Sequence, residues 1–450
     1  MKQFEKLQQG IVESSTENDQ RRGFFGRFFS FWKRRRITPW LFFFFLIYIV
    51  AVIKFVTIKE IDNNILFASY SLAVSFYIIS RFALAYFYTP KPIVASDYEP
   101  TVSFAVPSKN EGANICETIL RMALSEYPRD KFDIIAINDG STDNTLIEMY
   151  EAKKIATGFG VTVDVVDWKE NRGKREGMAE CVRWSNKELI FFVDSDSFVQ
   201  NNALREIVKY FSHPKVGAVA GHAYVTNANK NVLTKMQAVR YYVAFKAYKA
   251  AEALFGAVTC CSGCCSAYRK SAVMPFLEKW VKQRFLGVQC TYGDDRSLTN
   301  YTLYYGYDCI FAPEVIAHTI VPDTFKIFMR QQFRWKKSWV RESLLAAVFM
   351  WRKNIIMSFS FYLGVILPLL APIIVARALI WYPLMAGKFP TDYILGLLLM
   401  AVIYGLYYYI HTSDRKWVYG VVFATFYTLV LIWQLPYAIL NLRDASWGTR

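Results

Sequence analysis

Two carboxylates, Asp194 and Asp196, follow the apolar run Leu189-Ile-Phe-Phe-Val193 in the order Asp-Ser-Asp. At the end of a buried strand such paired oxygens suit a hard divalent ion, Mg2+ or Mn2+, that bridges protein to diphosphate. Asp139 ends an earlier apolar run and can accept hydrogen bonds from a nucleotide base or ribose; Lys174 and Arg175, in Asn171-Arg-Gly-Lys-Arg-Glu176, add cations beside a glycine. Gly293-Asp294-Asp295-Arg296 supplies a candidate general base, Asp295, with Asp294 and Arg296 beside it as candidate substrate contacts. Gln331-x-x-Arg334-Trp335 offers an amide for hydroxyls, a guanidinium fork for phosphate oxygens and a flat apolar face for a sugar ring. Such a set suits transfer of a sugar from a nucleoside diphosphate to a hydroxyl. One group takes the acceptor proton as the anomeric bond breaks, and others neutralise the departing diphosphate. Asp295 fits the first task; the metal, Arg334 and Lys174 or Arg175 fit the second.

Each motif has a structural alternative. Asp139-Gly-Ser-Thr-Asp143 can cap a helix through Ser141 or Thr142, and Lys174-Arg175 can be a solvated charge run. The stretch Met329 to Trp339 also suits an amphipathic helix on a membrane surface, with Phe333, Trp335 and Trp339 dipping into lipid. Cys260-Cys261-Ser-Gly-Cys264-Cys265 contains a C-x-x-C spacing, but no second C-x-x-C or histidine pair follows. Small apolar side chains packed beside a Gly263 turn are the expectation there, not zinc.

The elements that must hold these groups alternate in type. Thr101–Val106, Phe132–Asn138, Val161–Val166 and Leu189–Val193 are β-rich runs separated by helical or polar stretches, the pattern of a parallel α/β sheet. Three of them end in polar clusters, where open α/β sheets gather ligands.

Around this middle lies membrane. The 450 residues are 54% hydrophobic and 17% aromatic, too apolar for a purely soluble protein. The net charge of +16 sits largely beside the apolar spans, which points to lipid headgroups and anionic nucleotides and not to nucleic acid. Arg21 to Arg36 is a basic, aromatic, interfacial segment; Trp40–Val56 and Ile65–Tyr88 are two spans, and the basic cluster before them keeps the amino terminus and the middle of the chain cytosolic. No cleavable signal is visible, and the eight cysteines, all between the apolar regions, are expected to be reduced thiols. Phe359–Trp381, interrupted by Pro368 and Pro372, and Tyr393–His411 are two further spans with Lys388 and Asp392 in their outer loop. Trp417–Leu435 is expected to be re-entrant, turning at Pro436, so that Trp447 and Arg450 return to the cytosolic side. The expected division is a basic segment at 1–37, two spans at 38–89, the α/β domain at 97–325, interfacial helices at 326–355 and a transmembrane and re-entrant region at 356–450.

From about Val102 to Arg450 the chain resembles the family-2 inverting glycosyltransferases, specifically the membrane-embedded processive synthases of the hyaluronan, chitin and cellulose type. Arg240-Tyr-Tyr, Phe285-Leu-Gly, Tyr292-Gly-Asp-Asp-Arg296, Leu298-Thr-Asn300, Gln331-Gln-Phe-Arg-Trp335, Lys337-Ser338, Arg341-Glu342 and Trp447-Gly-Thr-Arg450 look most like the hyaluronan synthases. The resemblance implies a GT-A α/β catalytic domain joined to an α-helical transmembrane domain in the plasma membrane, and a monomer is the expected state. It implies UDP-sugar donors, Mg2+ or Mn2+, and a growing polysaccharide acceptor exported through the protein's own helices. It also implies Asp139 at the uridine, Asp196 at the metal, Asp295 as base, and Gln331, Arg334 and Trp335 at the diphosphate and acceptor, with Trp447 and Arg450 beside them. Two departures stand out. The chain has Ser262-Gly263-Cys264-Cys265 where those synthases carry Ser/Gly-Gly-Pro-Leu, and Ala247-Tyr248-Lys249 where they carry Val-Glu-Arg. The paired cysteines are similar to those of the chitin-oligosaccharide synthases, which leaves chitin or another β-glycan as the alternative product. A non-processive lipid glycosyltransferase is a further alternative, and fold alone does not fix the substrate.

Overall fold

A computed structural model describes residues 65–90 and 98–445, together with Phe45, Tyr48, Ile49 and Val52. The basic segment, most of the first expected span, and Trp447 and Arg450 lie outside the described residues.

The chain enters through helix α1 (Ile65–Phe87) and then builds the sheet domain. In order come β1 (Val102–Ser108), α2 (Ile115–Ala123), β2 (Phe132–Asp139), α3 (Thr145–Thr157), β3 (Thr162–Trp168), α4 (Lys174–Trp184) and β4 (Leu189–Phe192). Then follow β5 (Ser197–Val199), α5 (Ala203–Val208), β6 (Val216–Val225), α6 (Val232–Val243), β7 (Ser266–Arg269), a small hairpin of β8 (Arg284–Phe285) and β9 (Val288–Gln289), α7 (Asp294–Tyr304) and β10 (Asp308–Thr319). Eight strands form one sheet in the order β3-β2-β1-β4-β7-β6-β10-β5. The first four are parallel, β7 runs against both β4 and β6, β10 is parallel to β6, and β5 closes the edge antiparallel to β10. The four strands expected from sequence are β1 to β4. Of these, β1, β2 and β4 are buried on both faces and β3, at the edge, only in part: Phe104, Val106 and Ile134 pack with α2 and α3 on one side, Ala105, Ile135 and Ile137 with α4 on the other. Because β1 is flanked by β2 on one side and β4 on the other, its carboxyl end opens a crevice where helices leave in opposite directions, the place such sheets bind ligands.

The sheet rests on membrane helices through α6, whose Val239, Tyr242 and Val243 pack with Ile79 and Phe82 of α1. Past the sheet come α8 (Phe325–Met350), α9 (Ile355–Ala376), α10 (Thr391–Thr412), α11 (Trp417–Leu429) and α12 (Gln434–Leu440). Among the described residues three helical segments are long and apolar enough to cross a bilayer: Ser69–Phe87, Ile355–Ala386 and Tyr393–Thr412. Their outward side chains, such as Phe76, Ile373 and Leu395, are exposed, as lipid-facing residues are.

Two sequence expectations change in detail. Pro368 and Pro372 do not interrupt their span, since α9 runs through both; beside them the Tyr70 hydroxyl of α1 donates to the Leu367 carbonyl at 3.0 Å and ties the two helices together. The last apolar run turns before Pro436, with α11 and the segment beyond it bent by 41°. Backbone at Val430 leaves the helix (φ −119°, ψ −56°), and Pro436 sits in the first turn of α12, where its missing N–H costs no hydrogen bond. From there α12 packs along α8, with Phe333 and Tyr437 stacked at 5.0 Å.

Candidate active site

Strand ends deliver the first carboxylates. Asp139, the last residue of β2, is 4% exposed and accepts backbone N–H bonds from Arg172 (2.6 Å) and Gly173 (3.0 Å). Burial pushes its carboxyl above the ordinary value, and those two N–H groups oppose the shift. Just past β4, Asp194 is ion-paired with Lys174. Burial works against the Lys174 charge, but Asp194, then Asp294 and Asp295, hold the ammonium above its usual range. Asp196 follows on the same wall. Gly263 presses on this corner: a Cβ there would stand 2.9 Å from Asp194 Oδ1, so the Cys260 to Cys265 turn approaches the carboxylate only without a side chain.

Lys174 and Arg175 open α4 and part company at once. Lys174 lines the cavity, whereas Arg175 is buried and turned away. Its Nε donates to Asp294 Oδ1 at 2.9 Å, its Nη1 to Gln283 Oε1 at 2.9 Å and to the Trp280 carbonyl at 3.1 Å. The expectation that Arg175 faces a diphosphate is corrected: it is a strut that fixes Asp294. The direction of both residues follows from Gly177, where α4 closes on Pro107 of β1 so tightly that a Cβ would lie 2.8 Å from the ring.

Asp294 and Asp295 begin α7. The turn before them needs Gly293, whose φ is +75° and whose added Cβ would fall 1.9 Å from Ser338 Oγ. Asp295 Oδ1 accepts the Arg296 N–H at 2.8 Å, and Oδ2 faces the Cys260 thiol at 3.5 Å. Burial and then Asp295 push Cys260 up to about 12, so at neutral pH it is a thiol and donates. Arg296 also faces the cavity. Behind this layer Arg341 pairs with Glu342 at 2.8 Å, and the Asn300 amide donates to the Glu342 carbonyl at 3.0 Å, tying α7 to α8.

On α8, Gln331, Arg334, Trp335 and Ser338 recur at helical spacing and all line the cavity. Burial lowers the Arg334 guanidinium, against the pull of Asp294, Asp295 and Asp194. The Trp335 ring carries Arg240 at 4.9 Å, with Tyr241 at 6.4 Å. The chain returns here after α12. Lys337 Nζ bonds Asp444 Oδ2 at 2.8 Å, Tyr292 donates to the Asp444 carbonyl at 3.3 Å, and Thr291 donates to that of Ala445. Ala445 itself lines the cavity.

Asp139, Lys174, Asp194, Asp196, Asp294, Asp295, Arg296, Gln331, Arg334 and Trp335 thus share one cavity of about 2550 Å³. It extends past Trp335 between the membrane helices to Lys388 and Phe389. Cys260, Ser338 and Lys249 were not singled out as site residues on sequence. For Ser338 the signal was available, since it lies one heptad beyond Gln331; Cys260 and Lys249 come into place only through packing. The cysteine thiols are all free, with Cys261, Cys264 and Cys265 packed in the core.

A family model described as "Glycosyltransferase like family 2" matches residues 100–338. Hyaluronan synthase from Streptococcus pyogenes is 27% identical over 384 residues, covering 85% of this chain and 90% of that protein. An N-acetylglucosaminyltransferase from Azorhizobium caulinodans is 30% identical over 358 residues, 78% of this chain and 87% of that protein. Among solved structures, a mannosyltransferase from Pyrobaculum calidifontis, in complex with GDP-Man and Mn2+, superposes with a TM-score of 0.54 at 20% identity, covering 80% of this chain and 99% of the other. That likeness is one of fold, the mostly parallel GT-A type of sheet.

Proposed function

Because the chain belongs to the glycosyltransferase-like family 2, we propose that it is a processive, inverting polysaccharide synthase of the plasma membrane. In this reading it works as a monomer, takes UDP-sugars on its cytosolic side and passes a β-linked polymer outward, the product being hyaluronan made from UDP-GlcNAc and UDP-GlcA. One observation carries the reading: a single cavity joins the carboxylates at the strand ends to a space between apolar helices. A transferase that released a small product would have no use for the second half.

Asp295 takes the proton of the acceptor hydroxyl. Its oxygens are already oriented by the Arg296 N–H and the Cys260 thiol, so the free lone pairs face the cavity. Attack by that hydroxyl on the face opposite the leaving diphosphate inverts the anomeric centre. Trp335 stacks the acceptor sugar, and Gln331 bonds its hydroxyls. Arg334 and Lys174 neutralise the departing UDP. Asp139 holds the uridine end with the lone pairs that the Arg172 and Gly173 N–H groups leave open.

Asp194 and Asp196 offer the hard oxygen donors that Mg2+ or Mn2+ takes, on the wall nearest Lys174, and the set fits such an ion. When bound, the ion supplies positive charge to the diphosphate. Among the described residues no three His, Cys, Asp or Glu side chains converge, so Asp194 and Asp196 are the side chains that would hold it.

A second reading, a polymer of GlcNAc alone, is favoured by Cys264-Cys265 beside the acceptor turn and by the Azorhizobium relative's name. Purified protein supplied with UDP-GlcNAc alone, and with UDP-GlcNAc plus UDP-GlcA, followed by digestion with hyaluronan lyase or chitinase, tests both. Polymer from both donors that lyase destroys is the expected result. Absence of polymer under every donor combination refutes the synthase.

A further inference from the structure

Beyond the catalytic carboxylates the charges on the cavity wall become one-sided. Lys230 and Asp323 pair with each other, and Glu252, which accepts the Thr259 N–H at 2.8 Å and hydroxyl at 3.0 Å, keeps its charge as the one carboxylate against five cations. What remains toward the membrane is Arg240, Lys249, Lys336, Arg377 and Lys388. None of these five forms an ion pair among the described residues. Four lie over aromatic faces instead: Arg240 on Trp335 (4.9 Å), Lys249 on Phe245 (4.0 Å), Lys336 on Tyr427 (5.0 Å) and Arg377 on Phe67 (4.0 Å).

The backbone singles out two of the five. Among the described residues the π-helical stretches are Ala244–Lys249, which continues α6, and Arg377–Trp381, which continues α9. The first ends on Lys249 and the second begins on Arg377. A π turn has poorer hydrogen-bond geometry than the α-helix around it, and where it persists it re-aims a side chain at a site. One lies beside the acceptor turn, where Lys249 Nζ reaches Ser262 Oγ at 2.6 Å. The other lies at the far end of the span, where the wall continues to exposed Lys388.

We propose that these two points are carboxylate-binding stations for the moving polymer, an inner one at Lys249 with Ser262 and an outer one at Arg377 with Lys388. A cation in a low-dielectric conduit with no ion-pair partner is costly, and a ring face compensates only in part. A passing carboxylate supplies the missing charge. Because the ring takes the cation back when the carboxylate moves on, each station holds the chain without trapping it, as conduction requires. The proposal rests on the polysaccharide-synthase reading and narrows its product to a uronate-bearing chain.

Full-length protein in detergent is titrated with a GlcNAc/GlcA hexasaccharide and with a chitin hexasaccharide at about 50 and about 500 mM salt. The uronate oligosaccharide binds about tenfold more tightly at low salt, and that advantage disappears at high salt. Lys249→Gln removes the salt-dependent share and Lys249→Arg keeps it. In the Arg377→Gln/Lys388→Gln variant, polymer made from both donors is several-fold shorter, and Arg377→Lys with native Lys388 retains length. Equal or tighter, salt-independent binding of the chitin oligosaccharide overturns the inner station while leaving the synthase reading intact. Unchanged polymer length in the double variant overturns the outer one. Salt- and Lys249-dependent binding without polymer from any donor supports the inner station and removes the synthase reading instead.

Discussion

Replacing Arg175 separates a strut from a substrate contact. Arg175 and Asp294 are each 5% exposed and meet at 2.9 Å. Arg175→Met keeps much of the side-chain volume but leaves the Asp294 carboxylate, Gln283 Oε1 and the Trp280 carbonyl without their donors. Removing one partner of a buried pair costs about 3–5 kcal/mol, because the other charge stays buried. For a domain of the size of this sheet domain each kcal/mol lowers Tm by about 2–4 °C, so a fall of about 10 °C is expected. The assay is thermal unfolding of the detergent-solubilised protein beside the half-life of activity, since unfolding of a membrane enzyme is read as a rate. Arg175→Met/Asp294→Asn, which removes the stranded charge, recovers part of the loss. Lys174→Met, one residue away, weakens UDP binding with little change in melting. A variant at Arg175 that melts like the native protein while losing UDP affinity refutes the strut and restores the residue to the donor site.

Asp295→Asn abolishes transfer while UDP binding persists, because the amide keeps the shape and cannot take the proton; native turnover removes Asp295 as base. Asp196→Asn weakens donor binding only when divalent metal is present, and a metal-independent loss removes it as a ligand. Gly293→Ala lowers turnover about 100-fold by shifting the start of α7, and adding Ser338→Gly restores only part of it, since the 1.9 Å contact is with Ser338 Oγ but the positive φ stays strained; full recovery in the double variant assigns the whole cost to the Ser338 contact instead. Lys336, buried and held down to about 7 by burial and by Arg240, is protonated in the unfolded chain up to about pH 10.5. Native stability therefore rises between those values, and Lys336→Met stabilises most below pH 7, with a gain that shrinks toward pH 10. A gain constant across this range excludes the titration of Lys336.

Strands β1, β2 and β4 and the carboxylates at their ends were legible because parallel strands buried on both faces leave near-continuous apolar runs that stop at polar clusters, and edge strand β3 was legible from its valines. The other half of the sheet was not. Strand β6 is Val-Gly-Ala-Val-Ala-Gly-His-Ala-Tyr-Val, poor in strand-forming side chains, and its glycines exist because Gly217 meets Tyr307 and Gly221 meets Cys265. Strand β10 carries Pro313 across a register shift between Phe311 and Ile316. In both, tertiary pairing overrides local preference. Lys174 and Arg175 show the same limit in the site. Adjacent residues on a helix point about 100° apart, and which of them faces the cavity is set by the contact of Gly177 with Pro107, which no local pattern records. The break expected at Pro436 comes earlier, since the backbone leaves the helix at Val430.

The clasp at Thr291 and Tyr292 sets an order of assembly. Its acceptor carbonyls come from Asp444 and Ala445, and 154 positions separate Thr291 from Ala445. A nascent chain already owns the sheet, Asp194, Asp196 and Asp295 while α9, α10, α11 and α12 are still being made. The loop that leads into Asp294 and Asp295 closes only when the polypeptide has threaded those helices and come back. Translation thus delivers the sheet domain early and a finished cavity late, after the helices that line its far half have been made.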